Sequence, residues 1–273
     1  LHNTKSQYDR KVRFYIAVRS FVESVQALIQ ALIDGFFLGL LKRSTLHSID
    51  SYYYQTWHLY YNETYNLSGL LNWEQAAMES YFQHCRHLMV TGAGGGREVF
   101  ALLKMGYNVD SSECHPELAA SANNLLKKQG LSNRVMLADR DVVPDTENSY
   151  DGLIVGWGSY MLIQGRKRRI AFLRQMRTRV KPGSPLMVSF FHRKHEERKF
   201  RVTCLLGNIF RNILGADPLE MGDALRPNYV HFFTVDEIRQ ELQEAGFKLA
   251  FYDTHIYGHA IGLASEEYSA CDG

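Results

Sequence analysis

The chain has 273 residues, a net charge of +2, 45% hydrophobic and 22% charged side chains, which suits one folded α/β domain with a sizeable appendage and excludes a disordered or collagen-like chain. So small a net charge exerts no global pull on nucleic acid or membrane. The scattered cysteines Cys85, Cys114, Cys204 and Cys271 form no C-x-x-C pair, so neither a disulfide framework nor a metal site is expected, and a reducing, cytoplasmic setting is.

The first predicted element is a long helix over residues 10–41. Apolar side chains recur at 14, 15, 18, 21, 22, 25, 28, 29, 32, 33 and 36, with Arg19, Glu23, Gln26, Gln30 and Asp34 along the other side. These charges leave no unbroken apolar run near the ~20 residues a bilayer demands, so no transmembrane helix is expected, and the polar first dozen residues hold no signal-peptide pattern. The helix is expected to pack over a sheet or an active-site mouth, with a break near Gly35 or Gly39. The other reading is a peripheral membrane contact, because the apolar end at 36–41 and the basic residues at 10–13 and 42–43 suit an interface. Next comes an aromatic segment, Tyr52, Tyr53, Tyr54, Trp57, Tyr60, Tyr61 and Tyr65, whose rings with one polar tip suit a half-wet cleft. Residues 71–81 read as a helix leading into the first strand.

Residues 87–91 form an apolar strand that runs into Gly92, Gly94, Gly95 and Gly96. The alternate glycines 92, 94 and 96 let a turn close against a ligand, and the helix opening after them offers free N–H groups. The dinucleotide pattern G-x-G-x-x-G would need a glycine where this chain has Arg97. A second strand, 107–113, ends in Glu113, placed as acids that take both ribose hydroxyls are. A third, 134–139, ends in Asp139, preferred to Asp141 because it directly follows the apolar run. A fourth strand over 152–156 leads into the loop Gly156, Trp157, Gly158, Ser159, Tyr160, which must lie beyond its carboxyl end.

A basic helix over about 166–180, a Lys181-Pro182-Gly183 turn and a fifth strand over 185–191 follow. The helix reads as a solvated outer face, or else as a track for a phosphate backbone. An insertion over 192–231 begins with a charged run at 192–199, without H-E-x-x-H, and otherwise reads as a lid over substrate. Thr234 and Glu237 give a capping box to a helix stopped at Gly246, and strands near 247–253 and 256–263 complete the series. Such alternation predicts a mostly parallel sheet covered on both faces.

The G-x-G-x-G turn, Glu113, Asp139, the Asp151-led fourth strand and the Lys-Pro-Gly turn resemble those of the class I S-adenosylmethionine-dependent methyltransferases of small-molecule type, over residues 86–264. The resemblance implies a seven-stranded Rossmann-like sheet with an antiparallel last strand, a helical cap at 1–80, a core at 81–264 carrying the lid, and a tail at 265–273. It implies S-adenosyl-L-methionine as cofactor, and methyl transfer by in-line displacement to a small, partly apolar metabolite. Gly92, Gly94 and Gly96 would admit the cofactor, Glu113 would hold its ribose and Asp139 its adenine. Ala93, Cys114, Arg140, Gly156 and Trp157 complete the set, and some of the tyrosines at 52–65 would line the same cavity. Where the family usually has an acid two residues before the first glycine stands Val90, so an acid or tyrosine from the N-terminal region is expected to neutralise the ammonium.

His231 is the candidate general base and Tyr160 a second catalytic candidate. No Pro-Pro follows the fourth strand, which counts against N-methylation of nucleobases or glutamine. The alternatives are RNA modification through the basic helix, a non-catalytic partner subunit, and intramolecular use of the sulfonium.

Overall fold

The computed structural model describes residues 9–132, 134–146, 148–194 and 197–266; Cys271, positions 195–196 of the charged run and the tail from 267 lie outside them. The chain divides into two units, one of residues 1–41 with 196–224 and the other of 42–195 with 225–273.

In the larger unit, the β-branched and aliphatic runs of β1, β4 and β5 become the buried central strands. β1 (His87–Thr91) lies between β2 (Asn108–Glu113) and β4 (Gly152–Val155), β3 (Val135–Leu137) flanks β2, and β5 (Pro185–His192) flanks β4, all in parallel. β9 (Gly258–Ala264) runs antiparallel to β5, and β8 (Phe247–Asp253) antiparallel to β9. The seven expected strands thus form, with the expected reversal at the last. Two more come from the stretch read as lid: β6 (Asp223–Leu225) and β7 (Tyr229–Phe233), the latter pairing with the end of β5 through Phe191 and Phe232. The aromatic and β-branched side chains of β7 favour that state.

The helices of this unit start where their chemistry says they should. Pro116 occupies the first turn of α6 (Pro116–Lys128), and Thr234 with Glu237 closes both halves of a capping box on α9 (Val235–Glu244). Gly96 caps α5 (Arg97–Lys104) at φ +93°, and a Cβ there would stand 3.0 Å from the Ala122 Cβ. A side chain at this position would push α5 off α6. Val90 is wholly buried in the core beside Leu88, Val99, Leu102 and Ile154.

α7 (Arg166–Arg177) corrects the expectation of a solvated basic face. Arg169 is 1% exposed and reaches Glu241 of α9 through Nε and Nη2 (2.7 Å), Arg177 donates to the carbonyls of Gly246, Val180 and Ser265, and Arg166 pairs with Glu244. Arg179, just beyond, takes Asp145 and the Thr146 carbonyl. The basic run ties α9 and the neighbouring loops to the sheet instead of facing a polyanion.

α2 (Arg43–Thr56), α3 (Glu63–Asn66) and α4 (Asn72–Tyr81) belong with this unit, so residues 42–80 are not a separate cap. The smaller unit contains α1 (Arg10–Leu40) and α8 (Arg198–Leu214). α1 runs unbroken through Gly35 and Gly39, because those glycines serve helix contact: added Cβ atoms would lie 2.8 Å from the Thr203 carbonyl oxygen and 2.9 Å from that of Gly207.

Candidate active site

Beyond the carboxyl ends of β1, β2 and β4 opens a cleft of about 880 Å3 including its mouth. Its lining draws on residues 54–66, the glycine turn, the tip of β2, the stretch after β3 and the loop after β4. This is where open α/β sheets take ligands.

The turn is built so that backbone can approach whatever fills the cleft. Gly92 has φ +66°, and a Cβ there would come within 2.3 Å of Ser159 Oγ. Gly95, which the motif spacing does not single out, is tighter still: its Cβ would stand 2.0 Å from the Tyr60 carbonyl oxygen. Two expected cofactor residues are not in the lining. Gly96 serves the α5–α6 contact, and Gly156 lets the chain pass Gly92, whose carbonyl oxygen would be 2.1 Å from an added Cβ.

Glu113 is buried at the tip of β2. Its Oε2 accepts from Gly94 N (2.8 Å), and its Oε1 from the backbone N of Cys114 (2.8 Å) and His115 (2.9 Å) and from His115 Nδ1 (2.8 Å). A carboxylate offers about four acceptor sites, so Oε2 keeps capacity for another donor. On its other side His115 Nε2 lies 3.2 Å from Asp50 Oδ2, and Arg140 Nη1 lies 2.6 Å from the same oxygen. Asn228 donates to Oδ1 of Asp50. Three buried charges, Glu113, His115 and Asp50, and the half-buried Arg140 thus clasp α2 to the β2–α6 junction with alternating sign.

Burial alone would lower the His115 pKa, but hydrogen bonds to Asp50 and Glu113 push it up to about 11. Arg140 Nη2, 2.7 Å from Nε2, suits a neutral ring, yet two flanking carboxylates outweigh one guanidinium, and the imidazolium prevails. Burial raises the Glu113 carboxyl and His115 more than reverses it, giving a net lowering; Asp50 is likewise lowered. A raised histidine pKa stabilises the fold fully below its unfolded value near 6.5 and stops doing so as pH passes the folded value. We therefore expect the stability lost in His115→Gln to be largest near pH 6 and to shrink steadily toward pH 11. Urea unfolding of both proteins across that range checks this.

Asp139 lines the cleft, is exposed, and has no side-chain hydrogen bond among the described residues, whereas Asp141 is already held by Arg43 Nη2 at 2.6 Å. Ala93, Cys114, Arg140 and Trp157 also line the cleft, as do Tyr54, Tyr60 and Tyr65 from the aromatic segment. Tyr54 packs its ring 4.7 Å from His115. Burial raises the Tyr54 and Tyr60 phenols above their ordinary range, so both stay neutral.

A second buried charge cluster meets the cleft near the turn. Arg97 holds Glu74 through both oxygens (2.6 and 2.7 Å) and Glu98 Oε1 at 2.9 Å. The Trp157 backbone N also donates to Glu98 Oε1 (3.0 Å). Two carboxylates on one guanidinium leave one surplus negative charge, and burial, the largest influence on Glu74, raises its carboxyl. Among the described residues, three buried atoms of cleft-lining side chains have no hydrogen-bond partner: Thr91 Oγ1, Asn66 Oδ1 and Trp157 Nε1. Buried polar atoms rarely stay unpaired, and here a hydroxyl, an amide oxygen and an indole N–H lie in side chains that line the cleft with Glu98. Glu98 is a buried acid of the cleft that the sequence did not single out. Its signal was local, an acid in the first turn after the glycines, but its position depends on Arg97 and distant Glu74.

The structure removes both catalytic candidates from the cleft. Tyr160 is 1% exposed, donates to Glu241 Oε2 and stacks on Phe233, 5.3 Å between centroids. His231 is 1% exposed on β7, its ring edge-on to Phe233 at 4.5 Å. Burial beneath the loop after β4, not display along it, is what the aromatic packing dictates.

No protein-family model and no curated protein sequence matches the chain, but solved structures do. A protein of Methanosarcina mazei described as an S-adenosylmethionine-dependent methyltransferase aligns at 18% identity and TM-score 0.57, over 73% of this chain and all of that one. The 1,6-didemethyltoxoflavin-N1-methyltransferase of Burkholderia thailandensis aligns at 15% identity and TM-score 0.55, over 81% and 87%. An amino pentose methyltransferase of Micromonospora echinaspora, solved with S-adenosylmethionine bound, aligns at 14% identity and TM-score 0.52, over 71% and 92%. The fold is that of the S-adenosylmethionine-dependent methyltransferases. Within that methyltransferase fold, the cleft described above occupies the carboxyl edge of the sheet.

Proposed function

We propose that the chain is an S-adenosylmethionine-dependent methyltransferase acting on a small, partly apolar molecule. The observation that carries this is the cleft's two-ended chemistry: acceptors Glu113 and Asp139 toward one side, and the surplus charge of Arg97, Glu74 and Glu98 with three unpaired polar atoms toward the other. Glu113 would take ribose hydroxyls, Asp139 the adenine amino group, and Glu98 with Asn66 the methionine ammonium, in place of an acid at Val90. Bound there, the cofactor supplies an activated methyl group.

The protein's part is then alignment and exclusion of water. Tyr60, Tyr65 and Trp157 wall the cleft near the glycine turn, and at Gly94 an added Cβ would meet only Tyr60 Cδ1, at 3.8 Å, so the backbone there lies open. His115 is held protonated and the tyrosines neutral, so the acceptor would enter with its own lone pair free, as a neutral amine does. A phosphate-backbone substrate loses its support, because Arg166, Arg169, Arg177 and Arg179 are engaged within the protein.

Titration calorimetry with S-adenosylhomocysteine tests the reading. Wild type is expected to bind, and Glu98→Gln to bind about tenfold to a hundredfold more weakly, since a charge-assisted hydrogen bond is worth about 1.5–3 kcal/mol. Absence of binding by wild type at millimolar ligand sinks the reading.

A further inference from the structure

The unit of α1 and α8 exposes apolar surface in a pattern that one kind of partner fits. At 100° per residue, Phe14, Val18, Phe21, Val25, Leu28 and Ile29 of α1 fall within an arc of about 100°, which Leu32, Ile33, Phe36 and Leu40 extend along the helix to about 140°. All of them are exposed, Phe14 and Phe21 at 71% and 69%. α8 covers a different side: Ala31, Asp34, Gly35, Leu38 and Gly39 are the buried residues of α1. There Thr203 Oγ1 donates to the Ala31 carbonyl at 3.1 Å, and Gly39 meets Gly207 backbone to backbone. Helices that pack through small residues and keep their large apolar side chains outward are what apolar surroundings favour. α8 adds a second exposed stripe, Leu205, Ile209 and Ile213, one turn apart.

We infer that this unit binds the surface of an anionic phospholipid bilayer, with α1 lying in the plane of the interface. Three observations select that occupant. By length and composition alone α1 could cross a membrane, contrary to the sequence expectation, but Arg19, Glu23, Gln26 and Gln30 form a polar line along it, which a helix in the interface keeps in water. Arg19 and Glu23 meet each other at 2.8 Å and are more than half exposed. The two helices carry eight Lys and Arg against two acids, which complements anionic headgroups. A coiled coil with a second copy fits less well: in the heptad with Val18, Val25 and Leu32 at a and Phe14, Phe21 and Leu28 at d, the flanking positions hold Tyr15, Val22, Ile29, Ala17, Ser24 and Ala31, none with the charge that pairs strands.

Flotation of the full chain with vesicles decides the matter. The protein is expected to float with phosphatidylcholine vesicles containing phosphatidylglycerol, less with phosphatidylcholine alone, and less again at high salt. The variant F21E/I29E alters only exposed side chains, so its fold and its S-adenosylhomocysteine binding should persist while vesicle partitioning falls at least tenfold. Failure of wild type to float, or equal flotation of the variant, overturns the inference. So does a wild-type dimer in sedimentation equilibrium that the variant breaks without any vesicle binding, which would make the occupant a second copy. None of these readings depends on methyl transfer.

Discussion

Glu241→Ala should cost about 3–5 kcal/mol in urea unfolding, the range for removing one partner of a buried ion pair. Glu241 is 0% exposed and accepts from Arg169 and from Tyr160. Without it a buried guanidinium loses the Glu241 carboxylate, and its ring contact with Phe233 at 5.0 Å offers little in return. Tyr160→Phe, which keeps the stack and loses one hydrogen bond, should cost only about 1 kcal/mol and leave S-adenosylhomocysteine affinity unchanged. Loss of binding in that variant would return Tyr160 to the site and contradict its placement.

Glu113→Ala should combine a stability loss of similar size, about 3–5 kcal/mol, with loss of ligand binding. The carboxylate pairs three backbone N–H groups and an imidazolium, so its removal orphans the turn, the β2 tip and His115 together. Stability and binding can be separated. Calorimetry at a temperature where the variant is still folded by circular dichroism should show at least a tenfold weaker S-adenosylhomocysteine affinity. Unchanged affinity in the folded variant would mean that Glu113 is a scaffold for the turn and not a ligand group.

These two sites also show what sequence can and cannot tell. The places of Gly92, Gly94, Glu113 and Asp139 along the cleft were legible because their signals are local: a glycine where φ is positive, an acid where an apolar run stops. The alternation of strands and helices in a mostly parallel sheet followed from the same regularity. Tyr160, His231 and the arginines of α7 were misread because their state is set by partners far along the chain. Arg169 and Glu241 are 72 positions apart, and no periodicity near residue 169 announces that a carboxylate will meet it. The setting of Glu98 was hidden for a like reason, since Arg97 beside it is held through both oxygens of Glu74, 23 positions from Arg97. Gly35 and Gly39 looked like helix breaks because a glycine's cost within a helix is visible in sequence, while the neighbour that requires it is not.

The clasp from Asp50 to His115 joins two stretches of chain with separate duties. The floor of the cavity, residues 91–142, carries the groups suited to a nucleoside, while the roof, residues 54–66, is aromatic and held on by four charges at its edge. On the proposed function, changes in the roof would retune which acceptor is admitted while the floor keeps its grip, so new selectivity would arise without rebuilding the seat proposed for the nucleoside.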